Sequence, residues 1–430
     1  MSIENSIDII YSFYNKIGEK IPLDYHDSQF RSPCITRKLL SISSVDSVID
    51  RNIIVIGSKG KGSTAEILGE ILKRHSIKVG LFKSPHLIDF KERIQVDGEK
   101  ISSDDLNRIV KALEKNINAV GNSIKPPKYL GPNGIMLVAA LKYFNENKTQ
   151  LNILEAGRGG LYDDTYKMGK KIIFTPIFKE HKYRLGNSLE EISQTKIKAM
   201  NNNTTHAVIS KQVNSMVHRQ FKKQATKFDI KTKEFNKDFV IRNDESTTKL
   251  KIDSKRYNLQ FPPLPQYITE NFVTATVAAK FLGNVTLNES TLNSIANNLK
   301  LPGRCEVIKT PTKTLLFDGM VSSESAKEVS TFLDKLHMHG KKACLLALPK
   351  DKDLNGVIEQ LADKFDLIIL TETTQTQYPF DNKKFYGTNL KIIPNPQKAI
   401  KYIEDNDILN ICVFGTQSLL GEIKKVYQNT

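Results

Sequence analysis

The chain has 430 residues, 39% of them hydrophobic and 26% charged, which is the balance of a globular protein with more than one core. No run of eighteen apolar residues occurs, and the four cysteines (Cys34, Cys305, Cys344, Cys412) are scattered without CxxC spacing, so a helical membrane span, a disulfide framework and a zinc site are not expected. The formal charge of +16 comes from lysines spread along the whole chain without a nucleic-acid motif, and it favours anionic small substrates over nucleic acid. The first residues lack a basic stretch followed by an apolar one, so no secretion signal is read and a reducing cytoplasm is the expected compartment. A monomer is expected.

In chain order, residues 1–50 read as one or two helices and a linker, with Ile3, Ile7, Ile10, Tyr14 and Ile17 at helical spacing. A β-branched run, 53–56, leads into Gly57-Ser58-Lys59-Gly60-Lys61-Gly62-Ser63, and an amphipathic helix follows over 64–74. A second strand at 79–82 enters a Ser-Pro-His loop. Strand signals at 151–154, 171–174 and 207–209 alternate with helical stretches at 135–144 and 189–200, which predicts a mostly parallel, doubly wound sheet. Residues 228–262 alternate polar and apolar like an antiparallel hairpin insertion, and a helix at 270–282 restores the α/β pattern. The turn at Leu301-Pro302-Gly303-Arg304 divides the chain into a domain at 1–303 and a smaller Rossmann-like domain at 304–430, with strands at 315–317, 343–348, 367–370, 391–393 and 411–414.

The glycine loop carries the strongest chemical signal. Glycines let backbone N–H groups approach phosphate oxygens, and the N-terminus of the following helix favours their charge. Gly57, Ser58, Lys59, Gly60, Lys61, Gly62, Ser63 and Thr64 are therefore the candidate nucleotide cradle. Lys61 is expected to reach the β- and γ-phosphates and Ser63 to hold Mg²⁺. A glycine-rich turn in a lysine-rich protein is the bland alternative, but strand before and helix after argue against it. Lys59 adds a second positive charge that faces either phosphate or solvent.

This loop resembles the Gly-Thr-Asn-Gly-Lys-Gly-Ser signature of folylpolyglutamate and dihydrofolate synthases, members of the Mur ligase superfamily. Gly80-Leu81-Phe82-Lys83-Ser84-Pro85-His86-Leu87, running on to Phe90-Lys91-Glu92-Arg93-Ile94, is similar to that family's Gly-Leu-Phe-Thr-Ser-Pro-His-Leu and Phe-Asn-Glu-Arg-Ile. The order and spacing of the two blocks together are specific, and weaker matches extend over nearly the whole chain. The resemblance implies a Mur-ligase-like α/β fold with a central P-loop ATPase domain, ATP and Mg²⁺ as cofactors, and amide-bond formation through an acyl-phosphate.

It also implies site residues. Glu155, in Glu155-Ala156-Gly157-Arg158-Gly159-Gly160, looks like the glutamate of Glu-Val-Gly-Leu-Gly-Gly that holds magnesium. Its place at a strand's C-terminal end suits a metal ligand. Glu180-His181 resembles the family's Asp-His, which implies metal binding by His181. Lys196 matches the lysine that the family carbamylates with CO₂, although an ordinary surface lysine is the alternative. Ser84 joins the implied metal set of Ser63, Glu155, His181 and Lys196, and Lys61, His181 and Lys196 are the implied catalytic residues. Asn271 matches an asparagine near adenine, Arg304 an arginine that contacts ATP, and Asp318 an aspartate that contacts ribose. His86 and Arg93 fall on the substrate side. Asp351-Lys352-Asp353 and Phe414-Gly415-Thr416 add family-like texture.

Two departures matter. Where the family continues Asp-Gly with Ala-His-Asn, this chain has Met320-Val321-Ser322, and valine cannot hydrogen-bond an incoming carboxylate. The family's Thr-Phe-Phe-Glu becomes Gly131-Pro132-Asn133-Gly134, which loses a threonine and a carboxylate, so pterin binding is unsupported; the arginine and aspartate after Gly-Gly read Leu161 and, two places on, Asp163, so that segment is only partly kept. The expectation is thus an ATP-dependent acid–amine ligase with changed substrates. A genuine folylpolyglutamate or dihydrofolate synthase, a catalytically degenerate nucleotide-binding paralogue and a nucleic-acid-stimulated ATPase remain as other readings. Small-molecule acids and amines are the expected partners.

Overall fold

The computed structural model describes residues 3–428 apart from 23, 244–246, 350–351 and 374–388, so Asp351 lies outside the described residues. By their packing the residues divide into two units. The first comprises 1–84, 91–260 and 270–297; the second comprises 85–90, 261–269 and 298–430.

The first unit is built on eight strands: β1 (Asn52–Ile56), β2 (Val79–Phe82), β3 (Ile94–Val96), β4 (Glu99–Lys100), β5 (Leu151–Glu155), β6 (Lys171–Phe174), β7 (His206–Ile209) and β8 (Lys231–Glu234). They lie in the order β4-β3-β2-β5-β1-β6-β7-β8. From β2 to β8 every pairing is parallel; β3 and β4 are added antiparallel at one edge. Every residue of β1 is buried, as a central strand covered on both faces requires. β1 sits between β5 and β6. Because all three run the same way, the loops after β1, β5 and β6 emerge at one edge of the sheet, where ligands bind in open α/β sheets.

The helix Pro132–Glu146 explains how the sheet is covered. Its Ile135, Met136, Leu137, Val138, Ala139, Ala140, Leu141 and Phe144 are fully buried, so it is apolar nearly all round and packs as an inner helix. Pro132 opens it at the first turn, where a missing N–H costs nothing. At the opposite end of the sheet from the phosphate loop, a polar chain runs through the core. Thr149 donates to Asn152 Oδ1 (2.6 Å), Asn152 Nδ2 to Asn52 Oδ1 (2.8 Å) and Asn52 Nδ2 to the Met168 carbonyl (2.6 Å).

The 228–262 region differs in part from a simple hairpin. β9 (Phe239–Asn243), β10 (Thr248–Ile252) and β11 (Lys255–Leu259) form a separate antiparallel sheet, whereas β8 joins the main sheet parallel to β7. An alternating edge strand and a hairpin strand carry the same polar–apolar period, so the pattern alone does not separate them.

The second unit holds six strands: β12 (Glu306–Lys309), β13 (Thr314–Asp318), β14 (Lys342–Ala347), β15 (Leu367–Leu370), β16 (Leu390–Ile392) and β17 (Asn410–Gly415), in the order β12-β13-β17-β14-β15-β16. All neighbours are parallel except β12 and β13. Leu315, Phe317, Leu345, Ile369, Ile411 and Val413 of its strands meet Ile400, Leu420 and Ile423 of its helices in one core, and Leu87 packs against it. Among the described residues no helix is long and apolar enough to cross a membrane.

Candidate active site

The loop after β1 is shaped by close backbone approach. Gly60 caps the helix Lys61–Arg74 at φ +82°, and a Cβ there would lie 2.5 Å from Asn271 Oδ1, so only glycine fits without displacement. The loop is fastened to the segment following β6. Ser58 N–H donates to the Pro176 carbonyl (2.9 Å), Phe178 N–H to Ser58 Oγ (3.0 Å), and Ser58 Oγ to the Phe178 carbonyl (3.2 Å). Lys61 folds back so that its Nζ donates to the carbonyls of Gly57 (3.0 Å) and Ser58 (3.2 Å). Lys59 is half-buried in the same turn.

Glu155 ends β5 beside this turn. Its carboxylate oxygens lie 3.4 and 3.5 Å from where a Cβ on Gly62 would stand, and Oε2 accepts the Ser84 N–H at 2.9 Å. Ser84 thus meets the site through its backbone. Around the first turn of the helix three buried polar atoms have no hydrogen-bond partner among the described residues: Ser63 Oγ, Thr64 Oγ1 and Asn271 Nδ2. A buried polar atom left unpaired costs about 1–3 kcal/mol. Three together, at a helix N-terminus beside a buried carboxylate, fit a phosphate chain and a hard cation, since Mg²⁺ asks for one or two carboxylates and takes its other oxygens from phosphate and water.

Lys196, on the helix Leu189–Ile197, is fully buried at the same edge. Its Nζ reaches the carbonyls of Gly57 (3.0 Å) and Arg158 (2.5 Å) and Glu180 Oε1 (2.9 Å). The pair perturbs both partners. Against the cost of burial, Lys196 and then Lys61 hold the Glu180 carboxyl well below its ordinary range, to about 2. Burial pushes the Lys196 amine down, while Glu180 opposes that shift. His181 adopts φ +46°, with Nε2 3.7 Å from Glu180 Oε2. Its pKa is lowered to about 4, chiefly by burial, which outweighs the attraction of Glu180, so the ring is neutral at pH 7.

Arg93 belongs to the first unit and is bound to Tyr11 of the first helix; burial lowers its pKa, and the tyrosine opposes the shift. The other expected site residues lie in the second unit. His86 packs edge-on to Phe90 with ring centroids 5.5 Å apart. Arg304 donates to the Gly303 carbonyl at 2.9 Å. Asp318, buried at the end of β13, accepts from the Cys305 N–H (2.8 Å) and the Tyr267 hydroxyl (2.9 Å) through the same oxygen, Oδ2. Ser322, in the altered stretch, caps the helix Ser323–Lys335, and Met320 is buried.

Glu180 and Tyr267 are participants that the sequence did not assign. Glu180 has the type and position of the family's aspartate but one more methylene, and Tyr267 is near where the family has His-Gln. A buried charged cluster was also unforeseen. Arg31 lies among Asp164, Asp27 and Asp163, whose charges hold its pKa up against burial. Arg158 Nε donates to Asp27 Oδ2 at 2.9 Å, and the Arg158 and Arg184 guanidinium groups lie 6.0 and 4.9 Å from the Phe30 ring, which stacks on Tyr129. Asp164 accepts from Thr36 at 2.5 Å, and a Cβ on Gly134 would meet both residues. Charged and small side chains therefore crowd the region where the family's Thr-Phe-Phe-Glu would stand.

No family model matches the sequence. The chain is 27% identical over 388 residues to a dihydrofolate synthase/folylpolyglutamate synthase of Buchnera aphidicola subsp. Acyrthosiphon pisum, covering 86% of this chain and 87% of that one. It is 24% identical over 393 residues to the protein of the same description from Bacillus subtilis, covering 86% and 89%. Among solved structures, folylpolyglutamate synthase of Mycobacterium tuberculosis, complexed with ADP and AMPPCP, superposes with a TM-score of 0.83 at 18% identity, covering 98% of this chain and 99% of that one. The folylpolyglutamate synthase of Thermotoga maritima gives 0.80 at 21% identity, covering 99% and 97%.

Proposed function

We propose that the chain, similar over 86% of its length to dihydrofolate synthase/folylpolyglutamate synthases, is a divergent member of that family and joins a carboxylic acid to an amine with ATP. The acid's carboxylate oxygen attacks the γ-phosphorus, ADP leaves, and the acyl-phosphate forms. The amine then attacks the acyl carbon, orthophosphate leaves, and an amide remains after loss of a proton. The observation that carries this reading is the set of unpaired buried atoms on Ser63, Thr64 and Asn271 around the glycine loop, beside the Glu155 carboxylate.

In this reading Ser63 and Glu155 would hold Mg²⁺, which would neutralise charge on the phosphates. Lys61 supplies a fixed positive charge at the same edge while its Nζ holds the carbonyls of Gly57 and Ser58; the N–H groups of Ser58 and Lys59 are taken by the Pro176 carbonyl, so those from Gly60 onward are the ones offered to phosphate. The Ser84 N–H orients Glu155. His181, neutral at pH 7, lines the site without adding charge.

The substrates differ from folate and glutamate. Val321 stands where the family's histidine helps hold the incoming amino acid, and a site that loses a polar contact loses selectivity for the partner completing it. Glycines and a charged cluster replace the pterin-side residues. The test is incubation with Mg-ATP and pooled acids and amines, reading phosphate release and the mass of any conjugate. A conjugate other than a polyglutamyl folate is expected. Failure to bind Mg-nucleotide at all would end the ligase reading.

A further inference from the structure

We propose that Lys83 and Glu66 are positioning residues for the Glu155 carboxylate, joined in an ion pair that keeps the Ser84 N–H aimed at it. The inference rests on the reading of Glu155 as a Mg²⁺ ligand and deepens it by naming what sets the orientation of that ligand.

The pair closes a circuit inside the first unit. Lys83 Nζ lies 2.5 Å from Glu66 Oε1, across 17 residues of chain. Glu66 stands on the helix Lys61–Arg74, one turn after Gly62 and therefore on the same face. At Gly62 that face leaves room for Glu155, whose oxygens lie 3.4 and 3.5 Å from where a Cβ would stand, and at Glu66 it engages Lys83. The residue after Lys83 is Ser84, whose N–H donates to Glu155 Oε2 at 2.9 Å. One helix face thus lies against the carboxylate at one turn and, through Lys83 and Ser84, holds its hydrogen-bond donor at the next.

The backbone makes Lys83 a stiff link. β2 pairs with β3 as far as Phe82 and Ile94, and the Lys83 N–H continues that ladder by donating to the Arg93 carbonyl at 3.0 Å. The chain then leaves the sheet, and the next N–H, that of Ser84, goes to Glu155 instead of a strand. Neighbouring residues of an extended strand point to opposite faces, so Lys83 faces away from the fully buried Phe82 and toward the helix that packs on β2. The side chains of Lys83 and Glu66 are 13% and 23% exposed, so solvent screens this pair less than an open surface pair, which often contributes nothing. The family's block has threonine at this place, and its side chain is too short to reach the helix, so the pair is a feature of this chain.

Mn²⁺ affinity is measured by electron paramagnetic resonance with a non-hydrolysable ATP analogue, for the intact protein and for Lys83→Met, Glu66→Gln, Lys83→Arg and the charge-exchanged double variant Lys83→Glu/Glu66→Lys. Deuterium exchange of the Ser84 amide is followed in the same proteins without ligand. Groups that orient a metal ligand typically contribute about 10–100-fold to affinity, so Lys83→Met and Glu66→Gln should each weaken Mn²⁺ binding about tenfold. Both should speed Ser84 exchange several-fold, while Lys83→Arg stays near the unmodified protein and the charge exchange recovers most of the loss. The sign separates positioning from a simple field effect. By charge alone, losing the lysine would tighten Mn²⁺ binding and losing the glutamate would weaken it. Lys83→Met binding Mn²⁺ as tightly as the unmodified protein or more so, or Ser84 exchange within about twofold in both single variants, would overturn the proposal, even if the melting temperature fell. No binding of Mn-nucleotide by the unmodified protein would instead defeat the ligase reading, and Ser84 exchange still decides whether the pair holds the N–H.

Discussion

The Gly57 carbonyl accepts from both Lys61 and Lys196, so one backbone oxygen takes the charge of two lysines. Their roles separate by mutation. Lys61→Ala removes a positive charge beside the proposed phosphate site together with its bonds to the Gly57 and Ser58 carbonyls, and the loss of one preorganised charged donor typically costs about 10²–10³ in rate. Phosphate release is expected to fall by that order while circular dichroism stays native. Gly60→Ala acts on shape instead. Its left-handed conformation costs about 1–2 kcal/mol for an L-residue, and the added methyl strikes Asn271, so calorimetry should show weakened nucleotide binding along with a lower melting temperature.

The same residues set an acid limit. His181 has a folded pKa of about 4, below the ordinary value of 6.5, so the unfolded chain binds more protons between those values. Its contribution to stability is complete above pH 6.5 and declines as pH falls toward 4. Glu180, at about 2 in the fold, contributes above its ordinary 4.5 and is lost below that as pH falls toward 2. Melting temperature is therefore expected to fall from pH 6.5 downward, and Glu180→Gln should flatten the branch below pH 4.5 while lowering the plateau. A profile unaffected by that substitution would show that the carboxylate is not paired in the fold.

At the scale of elements, the inner helix Pro132–Glu146 and its strand carry the packing. Phe144 is fully buried and approaches β2 so closely that a Cβ on Gly80 would lie 2.6 Å from its ring. Phe144→Ala should cost about 3–5 kcal/mol through lost burial and the cavity left behind, measured by denaturant titration. Gly80→Ala should cost about 1–3 kcal/mol by overpacking. The two changes share one contact, so their costs should combine to less than their sum. Such a coupling would fail to appear if Gly80 were needed only for backbone freedom.

Across the whole molecule, the legible features were those with a local period. The runs 53–56, 79–82 and 171–174 are strands because β-branched and aromatic residues bounded by turns have few other uses, and the glycine loop follows from its own spacing. Side-chain pairings across the chain left no such trace. Lys196 meets Gly57 across 139 residues, Ser58 meets Phe178 across 120, and Asn152 meets Asn52 across 100. Nothing in the residues flanking any of these announces its partner, and Arg31, which lies in the N-terminal stretch read as one or two helices and a linker, sits among three aspartates. Charge acts at this scale as well. With a net charge of +16, affinity for Mg-nucleotide should fall several-fold as salt rises from about 50 to about 500 mM, because screening shortens the reach of the positive field.

The fastening of Ser58 to Phe178 has a kinetic corollary. Since the turn after β1 is held by a segment that arrives only once β6 has docked, the proposed nucleotide cradle should not pre-exist in a nascent or partly collapsed chain. Closing so long a loop is slow relative to forming the helix that follows the turn. Acquisition of nucleotide affinity during refolding should consequently lag behind the recovery of helical signal, and ATP should protect the finished first unit against proteolysis without accelerating its formation.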